Sequence, residues 1–239
     1  QYGGAIDVFR GGLTIEQCLF LDNKATGSIA EAGGAISVYS TADVVINNST
    51  FVGNRQEASG GTGGGALYLE NSSIIGFFTP SVEHCTFLNN YDEAFSGSAI
   101  MAVTTGAEVS LRNNIFADEQ GLVLDVLGGG RFASLGSNIA TDFTLTTYTQ
   151  GGAQNITLLD DPSDILDGNP LLGPLVNNGG PTLTLGLLAG SPALDSAQRV
   201  LTTSGEFSNE LAVDQRGMWR GAQPDIGAVE SGSFKRLNV

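Results

Sequence analysis

Few residues of this 239-residue chain have the types and spacing needed for chemistry. There is one histidine, His84, and there are two cysteines, Cys18 and Cys85. A glycosidase needs two carboxylates facing each other across a sugar bond, and a zinc site needs three or four converging ligands. Neither pattern surrounds His84 or the cysteines. Lys24 and Arg55 occupy equivalent positions in a repeat, but without the acidic trio that a lyase site requires. Asp214, Arg216 and Asp225 form the one mixed-charge constellation, and it reads as a buried ion pair that locks the last turns of the chain. The sequence therefore assigns no catalytic residue. No motif calls for a cofactor and no metal ligands are assigned, with calcium the one ion an acidic surface would suit.

The elements that must position these residues are repeats. Four segments align, GGAIDVF from Gly3, GGAISVY from Gly33, GGALYLE from Gly64 and GSAIMAV from Gly97. Each precedes a second alignable block: residues 13–23 (LTIEQCLFLDN), 44–54 (VVINNSTFVGN), 80–90 (PSVEHCTFLNN) and 109–119 (VSLRNNIFADE). Within each block apolar residues alternate with a period of two, which is strand spacing. A repeat of roughly 31 residues is too short for a four-stranded propeller blade and lacks the leucine-rich consensus. The fold class expected is all-β, a right-handed parallel β-helix. Its coils occupy residues 1–150, and an irregular Pro/Gly-rich module, residues 151–239, closes the solenoid.

In such a coil equivalent residues stack about 4.8 Å apart. Phe20, Phe51, Phe87 and Phe116 then form one inward column, and Asn23, Asn54 and Asn90 a ladder of amides, both structural. Cys18 and Cys85 share a column with Ser49 between them. Two rises separate them by about 10 Å, beyond the reach of about 7 Å for a disulfide, so both thiols are expected to be free. His84 aligns with Gln17, Asn48 and Asn113, a polar turn position.

Composition narrows the partners. The formal charge of −15 repels nucleic acid and anionic lipid. No apolar run is long enough to span a membrane as a helix. Gln1 begins just before a repeat, which reads as a processed or trimmed end.

After residue 130 the motifs change: GNPLLGPL from Gly168, NNGGPTLT from Asn177, GSPALD from Gly190, DQRG from Asp214 and PDIGAVE from Pro224. In their order these resemble the choice-of-anchor Q domain, the C-terminal module of many bacterial surface and secreted proteins. The upstream repeats resemble the β-helical regions that precede it, and polymorphic outer-membrane protein repeats. The resemblance implies an extracellular or cell-surface bacterial protein. A sorting signal usually follows the module in that family, and residues 231–239 (SGSFKRLNV) contain none that is recognisable.

Two surfaces are candidates for binding. Phe9, Tyr39 and Tyr68 are expected to form an exposed aromatic stripe for a sugar ring or another subunit. In the tail, Phe234, Leu237 and Val239 beside Lys235 and Arg236 are expected to dock on the acidic flank of a second copy. The function expected is a non-catalytic structural or adhesive solenoid whose partner is itself, as a filament or surface layer, or an extracellular glycan or protein. The alternatives are a carbohydrate-binding adhesin and a polysaccharide lyase or hydrolase.

Overall fold

The computed structural model describes residues 3–26, 32–39, 43–57, 63–71, 79–93, 97–104, 108–117, 122–128, 130–141, 147–150, 154–157, 159–199 and 212–232. Alternation of period two produces strands, and among the described residues there is no helix. The repeats stack as parallel coils. The first sheet orders Ile6–Phe9, Ile36–Tyr39, Leu67–Asn71, Ile100–Thr104 and Leu124–Leu127. The second orders Leu13–Glu16, Val44–Asn47, Ser81–Glu83, Glu108–Arg112 and Arg131–Ser134. The third has six members, Leu19–Leu21, Thr50–Val52, Thr86–Leu88, Ile115–Ala117, Ile139–Ala140 and Ile165–Leu166.

Pairing follows the repeat. Ile6 pairs with Ile36, Ile36 with Leu67, Leu67 with Ile100 and Ile100 with Leu124. Side chains at the inward positions meet only their own kind and form a closed core from Ile15 to Leu159. Phe20, Phe51, Phe87 and Phe116 stack with centroids 4.8, 4.8 and 5.2 Å apart. That spacing is close to the inter-strand distance, so the near-parallel stacking, with interplanar angles of 4°, 6° and 18°, follows from the backbone ladder.

Polar ladders fix the same rise. Asn54 Oδ1 accepts from the backbone N–H and the amide of Asn23, and Asn90 Oδ1 does the same for Asn54. The Asn54 and Asn90 amides also donate back to the Phe20 and Phe51 carbonyls at 3.0 Å. A second ladder continues the cysteine column: Cys85 N donates to Asn114 Oδ1, Asn114 to Asn138, and Asn138 to Asp164. Buried amides held on every side stabilise the coils by about 1 kcal/mol per bond and cost more when one partner is removed. Cys18 and Cys85 are free, and burial pushes the Cys85 thiol up to about 12.

The glycine pairs answer a question of space. A Cβ on Gly33 would lie 1.9 Å from the Ile36 carbonyl oxygen, and one on Gly34 would lie 2.0 Å from the Gly65 oxygen of the next coil. Only a residue without a Cβ lets the chain turn there and still stack.

One boundary differs from the sequence reading. Arg131–Ser134 and Ile139–Ala140 continue the sheets within the expected coils, and Ile165–Leu166 continues the third sheet beyond them. A boundary at residue 150 therefore falls inside the stack. The fifth coil escaped the repeat pattern because it lacks the glycine pair and advances only 24 residues, from Ile100 to Leu124. The C-terminal segment is also placed differently: Leu159 and Ile165–Leu166 extend the stack, whereas residues 193–198 and 214–228 lie along the side of the coils. The reason is an outward column on the third sheet, Thr50, Thr86, Ile115, Ile139 and Ile165. Ile115 and Ile139 form a second apolar cluster with Ala193 and Ile226. Bare isoleucine faces draw the module sideways.

Truncating the central ring of the column tests the core. Phe51→Ala removes a fully buried ring stacked on both sides and should lower unfolding free energy by about 3–5 kcal/mol in urea denaturation, without changing the far-ultraviolet circular dichroism.

Candidate functional site

Between the second and third sheets the chain turns at Gln17, Asn48, His84, Asn113 and Ser137, whose φ angles are 54°, 47°, 51°, 55° and 53°. Left-handed backbone at every coil turns the peptide groups and these polar side chains sideways, where they need partners. Residues 212–232 supply them. Asp214 O accepts from Gln17 Nε2, and Gln215 bonds Cys18 O and Thr50 Oγ1 on the first and second coils. Arg220 Nη2 donates to Asn48 Oδ1 at 2.9 Å on the second. Ala228 N donates to Thr86 Oγ1 on the third, and Gly227 N to Asn113 O on the fourth. Farther back along the chain, Gln198 exchanges two 2.8 Å bonds with the Asn113 side chain. One short segment thus straps four successive coils. Gly227 must come close to do so, since a Cβ there would sit 2.7 Å from Ile115 Cδ1.

The strap is braced from within. Asp214, fully buried, accepts from the Arg216 and Met218 N–H groups with Oδ1, and from Glu230 N and the Arg216 guanidinium with Oδ2. The Asp214–Arg216 ion pair of the sequence reading is therefore present, at 2.6 Å. Asp225 is not a member of it: its carboxylate accepts from Asp195 N and Ser231 N instead. The cation that reaches the coils is Arg220, which sequence reasoning missed. It is 4% exposed, faces Glu230 at 3.5 Å and donates to the Asp225 and Gly227 carbonyls. Nothing in a linear sequence marks it, because its partner on the coils, Asn48, lies 172 residues away.

His84 lies beneath the strap, 2% exposed, with Nε2 accepting from the Asn113 amide at 2.9 Å. Its Nδ1 approaches the Gly227 and Asp225 carbonyls without meeting hydrogen-bond geometry. Burial, reinforced by the Arg220 charge, holds the imidazole well below its ordinary value, so it is a neutral packing group.

Beside the strap lies a groove of about 450 Å³ formed by Asp195, Trp219, Gly221, Gln223, Glu230 and Ser231, among others. Trp219, the single tryptophan, is 41% exposed. Glu230 is fixed at the groove by Gly221 N and Asp225 N, at 3.0 and 2.7 Å, and burial raises its carboxyl above the ordinary value. Among the described residues no three His, Cys, Asp or Glu side chains converge as metal ligands.

The aromatic stripe does not exist as expected. Phe9 is 73% exposed under the Arg10 guanidinium, and Tyr39 is half-buried. Tyr68 is 1% exposed, and its hydroxyl donates to Glu70. Two causes combine. Tyr68 pairs in the Asp7, Ser37 and Met101 column, whereas the residue aligned with Phe9 and Tyr39 is Glu70. Past the exposed Asp7 that outward column is also enclosed, Ser37 and Met101 being fully buried. The tail residues Phe234, Lys235, Arg236, Leu237 and Val239 lie outside the described residues.

The profile of the family described as right-handed β-helix region matches residues 1–139, more than half of the chain. The chain belongs to the right-handed β-helix family. No curated protein and no solved structure matches it. No helix among the described residues is long and apolar enough to cross a membrane.

The buried imidazole gives this β-helix a pH dependence. Below about pH 6.5 the unfolded chain takes up a proton that the folded chain refuses, so this part of the stability is present above that pH and lost as pH falls. Glu83 and Glu230, pushed up by burial, act in the opposite sense. His84→Gln keeps an acceptor for Asn113 and should flatten the fall in urea midpoint between about pH 7 and 5 relative to the unaltered chain.

Proposed function

We propose that the chain is a non-catalytic structural and adhesive rod of the bacterial cell exterior, of the choice-of-anchor Q type suggested by its C-terminal motifs. The observation that supports this reading is the strap. A solenoid is held only by nearest-neighbour contacts and can open coil by coil from an end. Bonds from residues 214–228 to four successive coils, anchored by Arg220 and Asp214, oppose that opening. Such a cross-tie serves an element that must persist under load or protease rather than one that must flex around a reaction. The surplus of acidic residues keeps such a rod soluble and away from anionic surfaces.

The experiment is to pull the full chain by its ends in an optical trap. The unaltered chain should open in one cooperative event, and Arg220→Ala, which strands Glu230 and unties Asn48, should open at lower force in steps. Stepwise opening of the unaltered chain would sink the reading.

Self-association along the axis is a second reading. Every coil stacks its inward residues on their counterparts, Ile6 on Ile36, Ile36 on Leu67 and Leu67 on Ile100, so the coils of a second copy would continue the same columns. Sedimentation should then show assemblies growing with concentration, and Val8→Lys, an inward charge at the edge, should leave monomers. A chain that stays monomeric at high concentration would overturn it.

A further inference from the structure

We propose that the groove beside Trp219 is a binding site for a neutral pyranoside, one sugar unit of an uncharged glycan. The inference goes beyond the structural reading and stands apart from it, since it concerns the outer side of the strap and not its bonds to the coils.

The backbone presents the indole deliberately. Val213 and Trp219 pair in an antiparallel bridge, with Asp214 N bonded to Met218 O and the turn between them closed on the Asp214 carboxylate. Alternation along this segment drives Arg220 into the flank and leaves its neighbour Trp219 facing out. A large apolar ring held at 41% exposure on a braced turn loses little freedom when it meets a ligand. The groove in front of it, about 450 Å³, falls within the range of roughly 300–1,000 Å³ typical of small-molecule sites.

Its chemistry selects the ligand. One face is aromatic and suits the C–H face of a pyranose ring. The rest carries two carboxylates, Asp195 and Glu230, with the Gln223 amide and the Ser231 hydroxyl. Carboxylates accept charge-assisted bonds from sugar hydroxyls, and Asp195 is the one that offers them, since Glu230 is 4% exposed with its oxygens taken by Gly221 N, Asp225 N and Arg220. The Asp195 side chain stands exposed at the rim. Among the described residues no lysine or arginine lines the groove, and a uronate or sialate would meet the exposed Asp195 carboxylate there without a counter-charge.

Because Trp219 is the only tryptophan, its emission reports the site directly. The full chain is titrated with neutral tetrasaccharides of glucose, mannose and xylose, with tetragalacturonate, and with choline as a cationic probe. The expected result is a saturable shift in emission with at least one neutral sugar and none with tetragalacturonate or choline. By calorimetry, Trp219→Ala should weaken that binding at least about tenfold and Asp195→Asn about fivefold, with unfolding midpoints unchanged because both side chains are exposed. The proposal is overturned if no neutral sugar saturates the site by about 10 mM, if choline or tetragalacturonate binds in its place, or if Trp219→Ala binds as well as the unaltered chain. Recovery of the sugar intact is expected. Cleavage would support this site while overturning the non-catalytic reading, so the two fail separately.

Discussion

The parallel backbone ladder between coils sets everything else. Its rise places each residue directly over its counterpart in the coils above and below, so every choice of side chain is multiplied along the axis. A phenylalanine at position 51 is tolerated because its neighbours at 20 and 87 are also phenylalanines, 4.8 Å away on each side. The same rule explains why amides accumulate at the Asn23 and Asn114 columns. An Asn buried alone would leave donors unmet, whereas a stacked one passes each donor to the acceptor of the next coil.

Repetition also creates a difficulty. A turn built with left-handed backbone at every coil leaves a line of sideways-facing polar groups, and the third sheet leaves a line of outward isoleucines. A single C-terminal segment answers both. Ile226 and Ala193 cover the isoleucines, while Gln215, Arg220 and Gly227 meet the corner groups. In this chain the module acts less as an end cap than as a longitudinal seam. Its charged core is consistent with that duty: Arg220 and Glu230 are buried as a pair and tied to backbone groups, so removing either strands the other.

The seam has an outer side as well, and alternation makes the two sides chemically distinct. Residues 214, 215 and 220 turn in and bind coils; Trp219, between them, turns out into an acidic groove. Structural anchoring and ligand binding would thus share one segment, and the rigidity required by the first would pre-organise the second.

The coils were legible from the sequence alone, down to which residues share a column, because a fixed rise converts sequence period into spatial contact without intermediate steps. Gly33, Phe51, Asn54 and the free thiols at Cys18 and Cys85 all follow from that conversion. The fifth coil was less legible, since a shortened repeat without its glycine pair leaves alternation as the only signal. The sequence does carry one mark of the seam: residues 50, 86, 115, 139 and 165 form a column of Thr and Ile on the outer face, which predicts a covering partner. The burial of Tyr68, the partners of Arg220 and Asp225, and the groove at Trp219 could be decided only by tertiary structure. Arg220 meets Asn48 across 172 positions and Asp225 meets Asp195 across 30, contacts made by packing rather than by period.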